Sequence, residues 1–109
     1  MRNILIFFCF SFLGLYAFAQ NQKYAVETIA FYNVENLFDH YDDPKTKDDD
    51  RTPTGRDKWT EEIFEKKLTN TATVIADIGT NIVGSPPAII GLSEVENRYV
   101  IDRLVEHPI

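Results

Sequence analysis

Cysteine occurs once in the 109 residues, at Cys9, and basic side chains are scarce, with 11 lysines and arginines against 17 aspartates and glutamates. Each shortage excludes something. Cys9 lies inside the apolar amino-terminal run, so a chain processed after that run keeps no cysteine and forms no disulfide. The formal net charge of −6 argues against generic nucleic-acid binding through a basic surface, and any contact with phosphate has to come from a local site or a bound cation. A membrane-spanning run is missing too: Ile4 to Ala19 is 16 residues, where a spanning helix needs about 20. No internal repeat is visible, and the D-x-[DN]-x-[DN]-G spacing of a calcium loop does not occur.

The amino terminus instead carries an export pattern. Arg2 and Asn3 precede an almost wholly apolar stretch from Ile4 to Leu15, and Ala17-Phe18-Ala19 supplies a small-x-small cleavage site. Residues 1–19 are therefore expected to be a secretory signal peptide cleaved after Ala19, with the product periplasmic or secreted and without a stable membrane anchor. The bulky Phe8 before Cys9 argues against lipoprotein processing. Gln20 to Ile109 leaves 90 residues with a net charge of −7, since Arg2 departs with the signal. Burial at that size is marginal without a staple. Val105-Glu106-His107-Pro108-Ile109 breaks off straight after a helical pattern, so residues 20–109 are expected to be the amino-terminal part of a larger, truncated domain.

Val26 to Val34 is rich in β-branched and aromatic residues and predicts a strand. Alternation puts Ile29, Phe31, Asn33 and Glu35 on one face if the extended backbone continues that far. From Asp39 to Lys58 the composition turns to Asp, Lys, Thr, Pro and Gly, which predicts a long solvated acidic loop, with a cation- or substrate-facing role as the alternative. Thr60 can cap a helix with Glu61 and Glu62 in its first turn; Ile63, Phe64, Leu68, Ala72, Ile75 and Ile78 recur near the helical period, and Gly79 ends it. The apolar run Ala88-Ile-Ile-Gly-Leu-Ser93 predicts a second strand covered on both faces. Asn97 then opens a helix whose apolar side is Tyr99, Val100, Ile101, Leu104 and Val105.

The order strand, helix, strand, helix implies α/β architecture with two parallel strands whose carboxyl ends share one sheet edge, where open α/β sheets place ligands. Asn33 and Glu35 stand at the end of the first strand, Glu94 and Glu96 at the end of the second. Up to three carboxylates and one amide can converge there. Without a counter-charge some of those carboxylates would be driven to protonate. A hard cation resolves the conflict, and all-oxygen ligation with no His or Cys nearby points to Mg2+, or to Mn2+ or Ca2+, rather than to zinc. The chemistry inferred is metal-assisted phosphoester hydrolysis.

The stretch "FYNVENLFD" followed some sixty residues later by "IIGLSEVEN" resembles the endonuclease/exonuclease/phosphatase superfamily, in particular a secreted bacterial branch that opens Asn-Val-Glu-Asn-Leu-Phe-Asp. The resemblance covers essentially all of the chain after the signal, including the acidic loop, Trp59 and Lys67-Leu68. It implies a four-layer α/β sandwich, of which this would be a part, and hydrolysis of phosphodiesters or phosphomonoesters, nucleic acid among them, with a divalent metal. It maps the catalytic Asn-x-acid onto Asn33 and Glu35 and the principal metal carboxylate onto Glu94, with Asn33 and Glu35 also expected as metal ligands, Glu35 through a water. Many members have Asp where Glu35 stands, and Ser93 replaces a Gln. Glu96 has no family role by this matching and is expected to be a surface carboxylate near a helix.

The family's later Asp, Asn and His motifs are absent before Ile109; His40 and His107 are expected to be surface or packing residues. A secreted non-catalytic binding module on the same fold is the alternative, which later Gly-Asp-x-Asn and Ser-Asp-His motifs would argue against. Residues 1–109 alone are expected to be aggregation-prone or partly unfolded, and inactive.

Overall fold

The computed structural model describes residues 23–109; the expected signal peptide lies outside them. The described elements are β1 (Ile29–Leu37), a 3-10 turn at Asp49–Arg51 in the acidic loop, α1 (Glu61–Asp77), the short α2 (Thr80–Val83), β2 (Ile89–Val95) and α3 (Arg98–Val105). Strand and helix thus alternate as the sequence implies, with α2 as an unforeseen extra turn. The two strands form a parallel pair, and the arrangement is that of a partial α/β sandwich.

Each main helix begins on the side chain expected of it. Thr60 accepts the amide of Ile63 at 3.4 Å, and Asn97 Oδ1 accepts that of Val100 at 3.1 Å, so each cap satisfies an otherwise orphan donor. After α1, Gly79 adopts a left-handed φ of +79°, and a Cβ there would lie 2.4 Å from Thr28 Oγ1. Glycine is required on both counts.

The core lies on one side of the sheet. Val34 and Leu37 of β1 meet Phe64, Leu68 and Ala72 of α1, Val100 and Leu104 of α3, and Trp59 before α1; Tyr32, Leu92 and Val95 pack around them. Burying side chains such as Phe64 and Leu68 contributes about 1.5–3 kcal/mol each, and these are among the most enclosed in the molecule. Ile63 belongs to the expected stripe, yet it is exposed. It sits one position before Phe64, about 100° around the helix, which takes it off the buried arc. On α3, Val100 and Leu104 are buried, while Tyr99, Ile101 and Val105 are exposed.

The expected two-sided cover of β2 is not found among the described residues: Ile29, Phe31 and Ile89 on the other face of the sheet are exposed, Phe31 at 91%. The helices occupy only the opposite face. Phe31 pairs with Gly91, and its ring lies across the space where a Cβ of residue 91 would stand. β1 also begins three residues later than expected and runs on to Leu37. Hydrogen bonding to β2, which starts at Ile89, sets that beginning rather than local propensity.

Candidate functional site

The register of β1 on β2 is regular from Ile29↔Ile89 to Asn33↔Ser93 and resumes at Leu37↔Val95. Three residues of β1, Val34 to Asn36, thus stand opposite one of β2, Glu94. This is a wide irregularity of the kind that re-aims side chains beside active sites. Its backbone is strained on both strands: Glu35 (φ 52°), Asn36 (φ 62°) and Glu94 (φ 61°) are left-handed. Asn tolerates that region, but glutamate does so at a cost of about 1–3 kcal/mol.

Three hydrogen bonds hold the irregularity. Asn33 Oδ1 accepts the backbone N–H of Glu35 at 2.8 Å, and Asn33 Nδ2 donates to Glu94 Oε1 at 2.9 Å. Lys67 Nζ on α1 donates to the Glu35 carbonyl. Asn33 thereby spans both strand ends, its carbonyl fixing the turn and its amide nitrogen orienting the Glu94 carboxylate. Asn33, Glu35 and Glu94 are all exposed to solvent. Lys67 also stands 5.9 Å from the Trp59 ring centre. Burial lowers its pKa, and Arg51 lowers it further, while Glu35 and Glu94 raise it. An ammonium facing two carboxylates balances part of their charge.

The alternation read from the sequence fails beyond Asn33, because left-handed residues interrupt the pleat. Glu94 and Glu96 are therefore not side by side. Glu96 is half-buried on the loop side, where its Oε2 accepts the amide of Asp39 at 2.9 Å. Its pKa is pushed up to about 7, chiefly by burial and further by the charges of Asp39 and Asp48, against a lowering by the Asp39 amide. The reading of Glu96 as a surface carboxylate is thus corrected: it joins the end of β2 to the loop.

The acidic loop is exposed along most of its length, as expected, but two of its carboxylates turn inward. Asp39 and Asp48 are only 7% and 2% exposed. Asp39 accepts from the amide of Tyr41 at 2.7 Å and from Asn97 Nδ2 at 2.8 Å, and Asp48 accepts the amide of Asp43 at 3.2 Å. Trp59 closes the loop by donating its indole N–H to the Phe38 carbonyl at 3.0 Å. His40 packs on Tyr41 with ring centres 4.1 Å apart, and His107 Nε2 pairs with Thr69 Oγ1 at 3.0 Å. Both histidines serve packing.

The strand ends thus offer one oriented carboxylate, Glu94, with Asn33 bonded to it and the Glu35 corner alongside. Asn33, expected as a metal ligand, has its oxygen on the Glu35 amide and its NH2 on Glu94, so it orients the carboxylate. A lone exposed carboxylate suits Mg2+, which keeps several waters and takes one or two carboxylates from a protein. Among the described residues no group of three or more His, Cys, Asp or Glu side chains could hold an ion, so a cage of many protein ligands is not formed there. Lys67 has no role at the strand ends by its sequence, although it belongs to the resemblance; its contact with the Glu35 carbonyl is long-range. The available signal was its position on α1, between the buried Phe64 and Leu68 and flush with the apolar stripe. An apolar cavity bordered by Ala72, Ile75, Ile90, Leu92 and Leu104 touches none of these site residues.

A family model described as the endonuclease/exonuclease/phosphatase family matches residues 28–109. No curated protein and no solved structure matches the chain. No helix among the described residues is long and apolar enough to cross a membrane.

Proposed function

Given that the chain belongs to the endonuclease/exonuclease/phosphatase family, a family of phosphoesterase and nuclease character, we propose that the whole protein is a divalent-metal-dependent phosphoester hydrolase. The observation that carries this reading is the hydrogen bond from Asn33 to Glu94 at the carboxyl edge of a parallel sheet, with strained backbone at Glu35, Asn36 and Glu94. Strain of that sort collects where geometry serves chemistry.

In this reading Glu94 is the carboxylate that holds Mg2+, or Mn2+ or Ca2+, and Asn33 fixes its orientation. Glu35, whose carboxylate together with that of Glu94 acts on Lys67, would add a ligand through a water. When bound, the cation draws charge from a phosphoryl oxygen of the substrate. The chain's own residues supply placement: Asn33 keeps the carboxylate from rotating. The substrate is a phosphate ester, nucleic acid included, and the acidic surface makes a bound cation the means of attracting it. Export by a signal at residues 1–19 is part of the same proposal.

The test is calorimetric Mg2+ titration and a phosphodiesterase and phosphomonoesterase panel on the full chain, wild type against Glu94→Gln. Metal uptake and metal-dependent turnover that both vanish in the variant are expected. Turnover that survives both a chelator and Glu94→Gln sinks the reading.

A further inference from the structure

The candidate centre depends on an element that no ligand reading of the strand ends includes. Asn33 Oδ1 accepts the Glu35 amide, so the direction of the Asn33 side chain is tied to the Glu35 peptide. The next peptide plane along is set by the Glu35 carbonyl, which takes the Lys67 ammonium. Asn36 tolerates its left-handed φ, but the left-handed φ of Glu35 has no support from local preference. Something outside the strand has to hold it.

Lys67 is well placed to do so. Its neighbours along α1, Phe64 and Leu68, are 0% and 1% exposed, so the helix that carries it is fixed in the core. Its ammonium lies 5.9 Å from the ring centre of Trp59, whose indole is tied to the Phe38 carbonyl. The ammonium is thus presented from a rigid surface to a strained loop, within the fields of the Glu35 and Glu94 carboxylates and of Arg51.

We infer that Lys67 is a positioning residue of the centre, clamping the Glu35–Asn36 corner from α1 so that the Asn33 amide stays on Glu94. The inference rests on the proposed function for its bearing on turnover, but the clamp itself can be read without activity.

The experiment compares wild type, Lys67→Met and Lys67→Arg in the full chain. Amide hydrogen exchange without metal is the first readout. Exchange at Glu35 is expected to accelerate at least about tenfold in Lys67→Met, with Phe31 in the same strand little changed and the urea midpoint nearly retained. Lys67→Arg, which keeps a donor, is expected to restore most of the protection. The second readout is Mn2+ affinity with the kcat and KM split: a loss of about tenfold in affinity and in kcat at little-changed KM is expected. Unaltered exchange at Glu35 in a folded Lys67→Met overturns the clamp. A raised KM with kcat retained also overturns it, since Lys67 would then contact substrate. If wild type takes up no Mn2+ while Glu35 exchange still responds to Lys67, the clamp stands and the hydrolase reading falls.

Discussion

Asn33 Nδ2 donates to Glu94 Oε1 at 2.9 Å across 61 positions of sequence, and the same amide group accepts the Glu35 N–H through its oxygen at 2.8 Å. One side chain therefore couples a strained corner to a carboxylate on the neighbouring strand. Residues that orient a ligand in this way contribute through placement more than through charge.

Asn33→Ala is expected to weaken divalent-metal affinity and turnover of the full chain by about 10- to 100-fold. Asn33→Asp should do no better, because a second anion facing Glu94 replaces a donor by a repulsive partner. Calorimetric titration with Mg2+ checks the affinity, and steady-state assay checks the rate. Affinity unchanged in both variants would remove Asn33 from the centre.

Glu96 gives a pH dependence with a definite sign. Its pKa rises from 4.5 to about 7 in the fold because burial penalises its anion. The folded chain then holds more protons than the unfolded one across that window. The stability this supplies is complete below about pH 4.5 and is lost as the pH climbs through 7. Glu96→Gln, which cannot ionise, should flatten that part of the profile. Urea midpoints of both proteins between pH 4.5 and 8 provide the comparison, and parallel profiles would exclude a raised Glu96.

The two faces of the sheet should answer differently to truncation. Leu68→Ala removes a side chain that is 1% exposed in the core and should cost about 2–5 kcal/mol. Phe31→Ala removes a larger one from the uncovered face, where it is 91% exposed, and should stay within about 0.5 kcal/mol. Urea unfolding of the full chain measures both. Equal losses would mean that Phe31 is enclosed in solution.

Much of this fold could be read from local chemistry. Thr60 and Asn97 announce their helices by cap and period, and both caps form. The apolar runs announce two strands, and the intervening helix implies their parallel pairing. What resisted reading was set by contacts between distant segments. Nothing local in glutamate favours a left-handed backbone, so the corner at Glu35 and the kink at Glu94 follow only from the register of one strand on another. The burial of Asp48 and Glu96's turn toward Asp39 have the same origin: acidic residues in a polar stretch look solvated until the strand ends fold against them. In the sequence Lys67 belongs only to the family resemblance, and the position of the Glu35 carbonyl gives it a task.

The pairing of β1 with β2 has a kinetic consequence. Every rung of this ladder joins positions about sixty apart, with the acidic loop and a five-turn helix between them. Closing so large a circuit costs entropy before any rung repays it, and topologies of this type assemble slowly. Nascent helix over residues 61–77 is a local event and can precede the rest. The Asn33–Glu94 bond cannot, since no neighbour in sequence can substitute for either partner, and it therefore marks a chain that has completed its longest-range closure.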